Sequence, residues 1–265
     1  MTVRIATWNI NSIRARVGLL TDWLERRQPD VLCLQETKVV DNLYPKDVLQ
    51  ELGYHSAFAG QPSYNGVAIL SREPLADVRV EFPLPEMADV RLISGIVHGM
   101  RVYCAYFPNG RDPESPHYQV KLRWIEALRE LMFAGAPTDV PPATPIALLG
   151  DYNVAPEPED VYNPVAMEGK IHFHPDERAM VKTLLQRGMV DAFRVCRPEG
   201  GHYSWWDYRM GAFRRNLGLR IDHVWTTPDL ATHAVDAYVD KDERAKDSPS
   251  DHAPVVVELD LPNRA

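Results

Sequence analysis

Cysteine is scarce in this chain. Cys33, Cys104 and Cys196 are its three thiols, too far apart for a metal-ligand spacing and odd in number. Their pattern argues against a disulfide framework or a thiolate metal site and points to reduced core thiols in a cytosolic protein. No apolar run approaches the length a membrane span needs. The N-terminus enters a strand pattern at Val3 without a basic segment ahead of a long apolar one, so no signal peptide is read and a cytoplasmic chain is expected. Positive charge is in deficit as well: 29 basic residues face 37 acidic ones, a net charge of −8. That argues against non-specific adhesion to nucleic acid through the overall field, though not against a local basic stripe. No internal repeat at a period of roughly 20–50 residues is visible.

What is present is an ordinary globular composition, 45% hydrophobic and 25% charged over 265 residues. A chain of this size buries about three quarters of its unfolded surface without staples, and residues 1–265 read as a single domain. Strands are expected at Val3–Trp8, Val31–Leu34, Val67–Leu70, Ile146–Leu149, Gly201–Trp206, Leu219–Thr226 and Ala253–Leu259, with a hairpin over Arg91–Phe107 turning at His98-Gly99. Tyr64-Asn65-Gly66 reads as a tight turn. One helix starts at a cap on Asn11 or Ser12, buries Ile13, Val17, Leu20 and Leu24, and is stopped by Pro29. Others run from Pro45 to Gly53, from Ser115-Pro116 with Leu122, Ile125, Leu128 and Met132 inward, and from Pro175 to Gly188. The proline-rich stretch Pro141–Pro145 reads as a surface loop rather than a linker, because it leads directly into a strand. Several strand pairs are joined too closely for a helical crossover, which favours an α/β fold with mixed, largely antiparallel sheets.

The stretch Ile146–Pro156 organises the chemistry. A short apolar run ends at Gly150, and Asp151 and Asn153 follow at once. A turn is the plain reading, since both residue types bond their own backbone. Yet other apolar stretches also end in polar groups: Asn9, Glu36, Tyr106, Asp222 and Asp251-His252. Singly, each has a structural explanation, as a cap, a loop start, a satisfied core tyrosine or a turn. Together they form the inventory for metal-assisted hydrolysis of a phosphate ester: oxygen ligands for a hard cation, a base, and an imidazolium for developing charge.

The ordered motifs W-N-I-N (Trp8–Asn11), L-Q-E-T-K (Leu34–Lys38), N-G-V-A-I-L-S (Asn65–Ser71), Y-F-P-N-G (Tyr106–Gly110), G-D-Y-N (Gly150–Asn153), S-W-W-D-Y-R (Ser204–Arg209), G-L-R-I-D (Gly218–Asp222) and S-D-H-A-P (Ser250–Pro254) resemble those of exonuclease III-type apurinic/apyrimidinic endonucleases. The resemblance covers about residues 3 to 258. It implies a four-layer α/β sandwich, two packed mixed sheets flanked by helices, with the site at one end. It implies Mg²⁺, with Mn²⁺ as a substitute, held chiefly by Glu36 with Asn9 and Asp251, and with Asp151, Asn153 and His252 at the same centre. Asp151, held by Asn153, would activate or orient the attacking water, Asp222 would keep His252 protonated, and Tyr106 would meet the phosphate or leaving group. Asn11 stands where some relatives carry Asp and is left out of the metal set.

The segment Trp205–Arg220 holds Arg209, Arg214, Arg215 and Arg220 against one acid, Asp207, and includes Trp205, Trp206 and Phe213. That mixture suits a nucleic-acid groove, and Trp206 with Leu219 is expected to form a pocket for an extruded abasic sugar. The alternative is a solvated loop over a buried tryptophan pair. Arg14, Arg16, Lys121 and Arg123 are further candidates for phosphate contacts. His172 and His174 read as a surface pair rather than a zinc site. The expected partner is duplex DNA with abasic sites or blocked 3′ ends, met by a monomer with no membrane role. The rival readings are a superfamily phosphatase for small phosphoesters or lipid headgroups, and a catalytically dead DNA-binding module.

Overall fold

Two sheets face each other in the computed structural model, which describes residues 1–134 and 142–262. In chain order the strands are β1 (Thr2–Asn9), β2 (Val31–Gln35), β3 (His55–Ala59), β4 (Val67–Ser71), β5 (Ala76–Val80), β6 (Leu92–Val97), β7 (Met100–Tyr106), β8 (Ile146–Asp151), β9 (Val190–Asp191), β10 (Asp222–Thr226), β11 (Ala234–Val239) and β12 (Val255–Asp260). The helices are α1 (Ile13–Arg27), α2 (Lys46–Glu51), α3 (Pro116–Met132), α4 (Pro164–Met167), α5 (Pro175–Gln186), α6 (Ala192–Cys196) and α7 (Pro228–Ala231). One sheet has the order β11-β12-β1-β2-β4-β3 and the other β5-β6-β7-β8-β10-β9. Each has one parallel pair at its centre, β1 with β2 and β7 with β8, and antiparallel neighbours elsewhere.

The two-residue alternation of a strand sorts its side chains between layers. In β1, Val3 and Ile5 enter the core between the sheets, while Ala6 and Trp8 meet the outer layer with Leu20, Trp23 and Leu24 of α1. In β8, Ala147 and Leu149 face inward, and Ile146 and Leu148 meet Trp124, Ile125 and Leu128 of α3 and Val181 and Leu184 of α5. Because both faces are covered, these central strands read as unbroken apolar runs. The result is helix, sheet, sheet, helix.

That packing fixes where the strands deliver their polar ends. β1 and β2 run parallel, as do β7 and β8, and β10 and β12 run antiparallel to β8 and β1. The ends of β1, β2, β7 and β8 and the starts of β10 and β12 therefore share one edge of the sandwich. Gly150 permits the β7–β8 approach, since a Cβ there would lie 1.8 Å from the Ala105 carbonyl oxygen.

Several expectations are corrected. Gly201–Trp206 is not a strand; Trp205 makes only isolated bridges to Leu219 and His252, and β10 begins at Asp222 rather than Leu219. β3, β5 and β11 lie where no strand was expected. Ser12 occupies the cap position of α1 with φ 85°, yet its side chain makes no capping bond. On α3 the buried face carries Lys121 and Trp124, with Leu122 only half-buried. Residues 142–145 are indeed a loop into β8, while Pro141 lies outside the described residues.

Candidate active site

Three contacts cross the seam between the sheets at that edge. Asn9 Nδ2, from β1, donates to Asp151 Oδ2 at the end of β8 at 2.9 Å and to Glu36 Oε1 at 2.8 Å. The Tyr106 hydroxyl, from β7, donates to the same Glu36 oxygen at 2.9 Å. His252 Nδ1, just before β12, lies 2.8 Å from Asp222 Oδ2 at the start of β10. On its other side His252 Nε2 is 3.8 Å from Asp151 Oδ2. Asn9, Asp151, Asn153, Asp222 and His252 are all buried.

Local backbone conformation aims these groups. Glu36 and Asn153 have positive φ, 53° and 52°, a left-handed turn that non-glycine residues adopt at a cost, most readily Asn. The Asp151 carboxylate accepts the Asn153 backbone N–H at 2.9 Å, the turn expected of that pair. Here the turn and the cluster are one object. Asn153 is then held by Nδ2 donating to the Phe107 carbonyl and by Asn109 Nδ2 donating to its Oδ1. Ser204 Oγ donates to Asp222 Oδ2 at 2.6 Å and accepts the N–H groups of Ile221 and Asp222, fixing the carboxylate that fixes the histidine.

The electrostatics separate an acid from a base. Burial opposes charge on His252, but Asp222 and Asp151 on either side raise its pKa to about 10. Burial, with the Asp222 and Glu36 charges, pushes Asp151 up to about 7 against the pull of His252. Burial also presses on Glu36, yet the Lys38 ammonium, 2.6 Å away, and the Asn9 amide hold its carboxyl below the usual range. Burial and the neighbouring Glu36 and Asp151 charges keep the Tyr106 phenol well above its ordinary value, so it stays a donor.

Asp151, Asp222 and His252 bring ligand atoms within 4.8 Å of one another, an acidic/histidine cluster. Of the residues expected at the metal, His252 has Nδ1 on Asp222 and turns Nε2 toward Asp151. Asn9 Oδ1 accepts the Asn11 backbone N–H, and its amide nitrogen faces the carboxylates. The oxygen-rich set of Glu36, Asp151 and Asp251 suits a hard divalent cation. Asp251 is tied to Trp205 Nε1 and Asn11 Nδ2, both at 3.0 Å, and burial notwithstanding, the His252 charge and these bonds hold it low.

A cavity of about 550 Å³ adjoins the cluster, lined by Trp205, Leu217, Leu219, Met167, Met210 and His172 among others. Trp205 reaches Asp251, and His172 Nδ1 lies 2.7 Å from the Asn153 carbonyl oxygen, so pocket and cluster share a wall. The expected pocket residue Trp206 is corrected to Trp205. Trp206 is 0% exposed, stacked edge-on to Phe213 and bonded to Asn216. Leu219 does line the cavity, and Arg209 stands at its rim. Arg209, Arg214 and Arg215 are exposed and form no ion pair among the described residues, whereas Arg220 is buried on Asp160 and Asp191. Lys121 is also buried, paired with Glu177, and Arg123 pairs with Glu86, so neither is a free phosphate contact. Arg14 is exposed, and Arg16 bonds the Tyr208 hydroxyl. His172 and His174 are not a surface pair: His172 is buried, its pKa pushed down to about 3 by burial and the nearby Lys121 charge, and His174 caps α5. Lys38, on Glu36, was not among the expected site residues, although it closes the L-Q-E-T-K motif.

The chain belongs to the endonuclease/exonuclease/phosphatase family, whose family model matches residues 6–252. Its relatives are of the exodeoxyribonuclease III type. It is 34% identical to exodeoxyribonuclease III of Haemophilus influenzae, over 97% of this chain and 100% of that one. Among solved structures, a Neisseria 3′ phosphatase bound to a product DNA hairpin superposes with a TM-score of 0.92 at 39% identity, covering 98% of this chain and 100% of that one. An AP endonuclease from Archaeoglobus fulgidus superposes with a TM-score of 0.92 at 38% identity, with the same coverage. The four-layer sandwich is the fold of these enzymes.

Proposed function

We propose that this chain, acting as one domain and a monomer, is a Mg²⁺-dependent DNA-repair phosphodiesterase. It cleaves duplex DNA 5′ to an abasic site, leaves a 3′-hydroxyl, and also trims 3′ ends as an exonuclease and 3′-phosphatase. The carrying observation is the placing of two buried groups 3.8 Å apart, Asp151 held by Asn9 and His252 held through Nδ1 by Asp222. A carboxylate base beside an imidazolium is what attack of water on a phosphodiester requires.

In this reading Asp151 takes the proton of the attacking water, which Asn153 helps to orient. His252 donates its Nε2–H to a non-bridging phosphate oxygen while Asp222 holds the other ring nitrogen. Tyr106 donates its hydroxyl toward the phosphate. Glu36 and Asp251 would be the principal carboxylates for the cation, with Asn9 and Asp151 beside them, and a cation held there would supply charge neutralisation at the phosphate. Mn²⁺ satisfies the same oxygen donors. Trp205 and Leu219 form the apolar wall for the baseless sugar, and Arg209, Arg214 and Arg215 hold flanking backbone.

The test is one labelled duplex bearing a single abasic analogue, with the product ends mapped, alongside a duplex blocked by a 3′-phosphate. Incision 5′ to the lesion that needs a divalent cation is expected. Hydrolysis of small phosphoesters with no cut in either duplex would overturn the assignment in favour of a phosphatase; DNA binding without any hydrolysis would leave a dead module.

A further inference from the structure

Lys38 holds a place the reaction described above does not use. Its Nζ lies 2.6 Å from Glu36 Oε2 and 2.7 Å from Asn11 Oδ1, and Asn11 in turn donates to Asp251 Oδ1 at 3.0 Å. One ammonium therefore bonds one proposed metal carboxylate directly and reaches the other through a single amide.

The backbone around it is fixed. Ser12 N–H bonds the Glu36 carbonyl, Ile13 N–H that of Thr37, and the Thr37 and Lys38 N–H groups bond the carbonyls of Gly66 and Asn65. Gly66, at φ 87°, is needed for this fit, because a Cβ there would lie 2.2 Å from Thr37 Oγ1. The side chain is under no such constraint. It is 25% exposed on a flexible four-carbon stem, and its two bonds are both made by the ammonium.

We infer that Lys38 is a resident, displaceable counter-ion for Glu36, competing with the divalent cation and limiting its affinity. This rests on the reading of Glu36 as the cation's main carboxylate. Two cations cannot share one carboxylate oxygen without mutual repulsion, so occupancy by either weakens the other by the same factor. With the ammonium in place Glu36 stays charged and aimed between turnovers; once it leaves, the same carboxylate is free for the metal.

The test uses Mn²⁺ alone on the DNA-free full chain, with affinity read by calorimetry or by the EPR signal of free Mn²⁺. Lys38→Gln is expected to bind Mn²⁺ about tenfold more tightly than the unaltered chain, within the usual range of such couplings. Lys38→Arg keeps the charge and should stay within about twofold. In EDTA, Lys38→Gln should melt lower than the unaltered chain, and Mn²⁺ should raise its melting temperature by more. Glu36→Gln separates the two claims. If it loses Mn²⁺ while Lys38→Gln binds no tighter than the unaltered chain, the counter-ion idea is wrong and the metal assignment stands. If Glu36→Gln binds Mn²⁺ normally, the metal assignment falls and the inference with it.

Discussion

At the scale of single residues, the site works by pairing groups whose charges depend on one another. Asp222 has its ring partner in His252 and its own support in Ser204, so in the proposed reaction it acts through the histidine. Asp222→Asn and His252→Ala are therefore expected to be strongly non-additive, the double variant losing little more kcat than His252→Ala alone. Multiplicative losses would mean the two residues act separately. The adjacent tryptophans divide differently. Trp205→Ala should lower kcat/KM at an abasic site more than at a 3′-phosphate, with the melting temperature nearly unchanged. Trp206→Ala removes a fully buried ring and should cost about 3–5 kcal/mol of stability instead. If Trp206→Ala melts normally, its burial has been misjudged. The sequence contained both rings but not which one points inward, because that depends on a backbone bridge between Trp205 and Leu219 that no local pattern encodes. Lys121 misled for a related reason: a lysine on a helix reads as solvated until its distant partner Glu177 is known.

At the scale of elements, the polar groups were legible because each follows an apolar run, and buried central strands announce themselves by composition. The edge strands were not. β5 is exposed at every position and β3 mixes polar with small residues, so neither carries the apolar signal that marked β2 or β8. What no strand pattern could convey is how closely two strands approach. Ala105 and Gly150 are paired across β7 and β8, one residue from the Tyr106–Asp151 pair. Gly150→Ala would force a methyl group into the Ala105 carbonyl and part the strands at the point that delivers both side chains. The expected outcome is a loss of kcat well beyond what the fall in melting temperature explains. Full activity with a normal melting temperature would show that the strands can yield.

At the scale of the molecule, buried ion pairs tie the loops of the active edge to the sandwich. Arg220 bonds Asp160 and Asp191 at 2.7 Å each, and Arg194 joins Asp160. Burial presses the Asp160 carboxyl up, but these guanidinium groups prevail and bring it from 3.8 down to about 2. A carboxyl lowered on folding adds stability above its unfolded pKa, and that contribution is lost as pH falls from about 4 through about 2. Asp160→Asn should be destabilised at neutral pH by about 3–5 kcal/mol, as a buried pair is broken. Its melting temperature should also fall less between about pH 5 and about pH 2 than that of the unaltered chain; an identical acid limb would place the acid sensitivity elsewhere. The order of the strands has a further consequence, for synthesis. The β5–β10 sheet is drawn from one continuous stretch of chain, whereas its partner is begun by β1 to β4 and finished only by β11 and β12. A nascent chain can close the first of these sheets early, but β1 must wait for the neighbour that arrives last. Asp251 and His252 emerge with that neighbour. On the ribosome, then, a chain that stops short of β12 carries Glu36, Asp151 and Asp222 but neither Asp251 nor the His252 imidazole, and the cluster is complete only when that strand has docked.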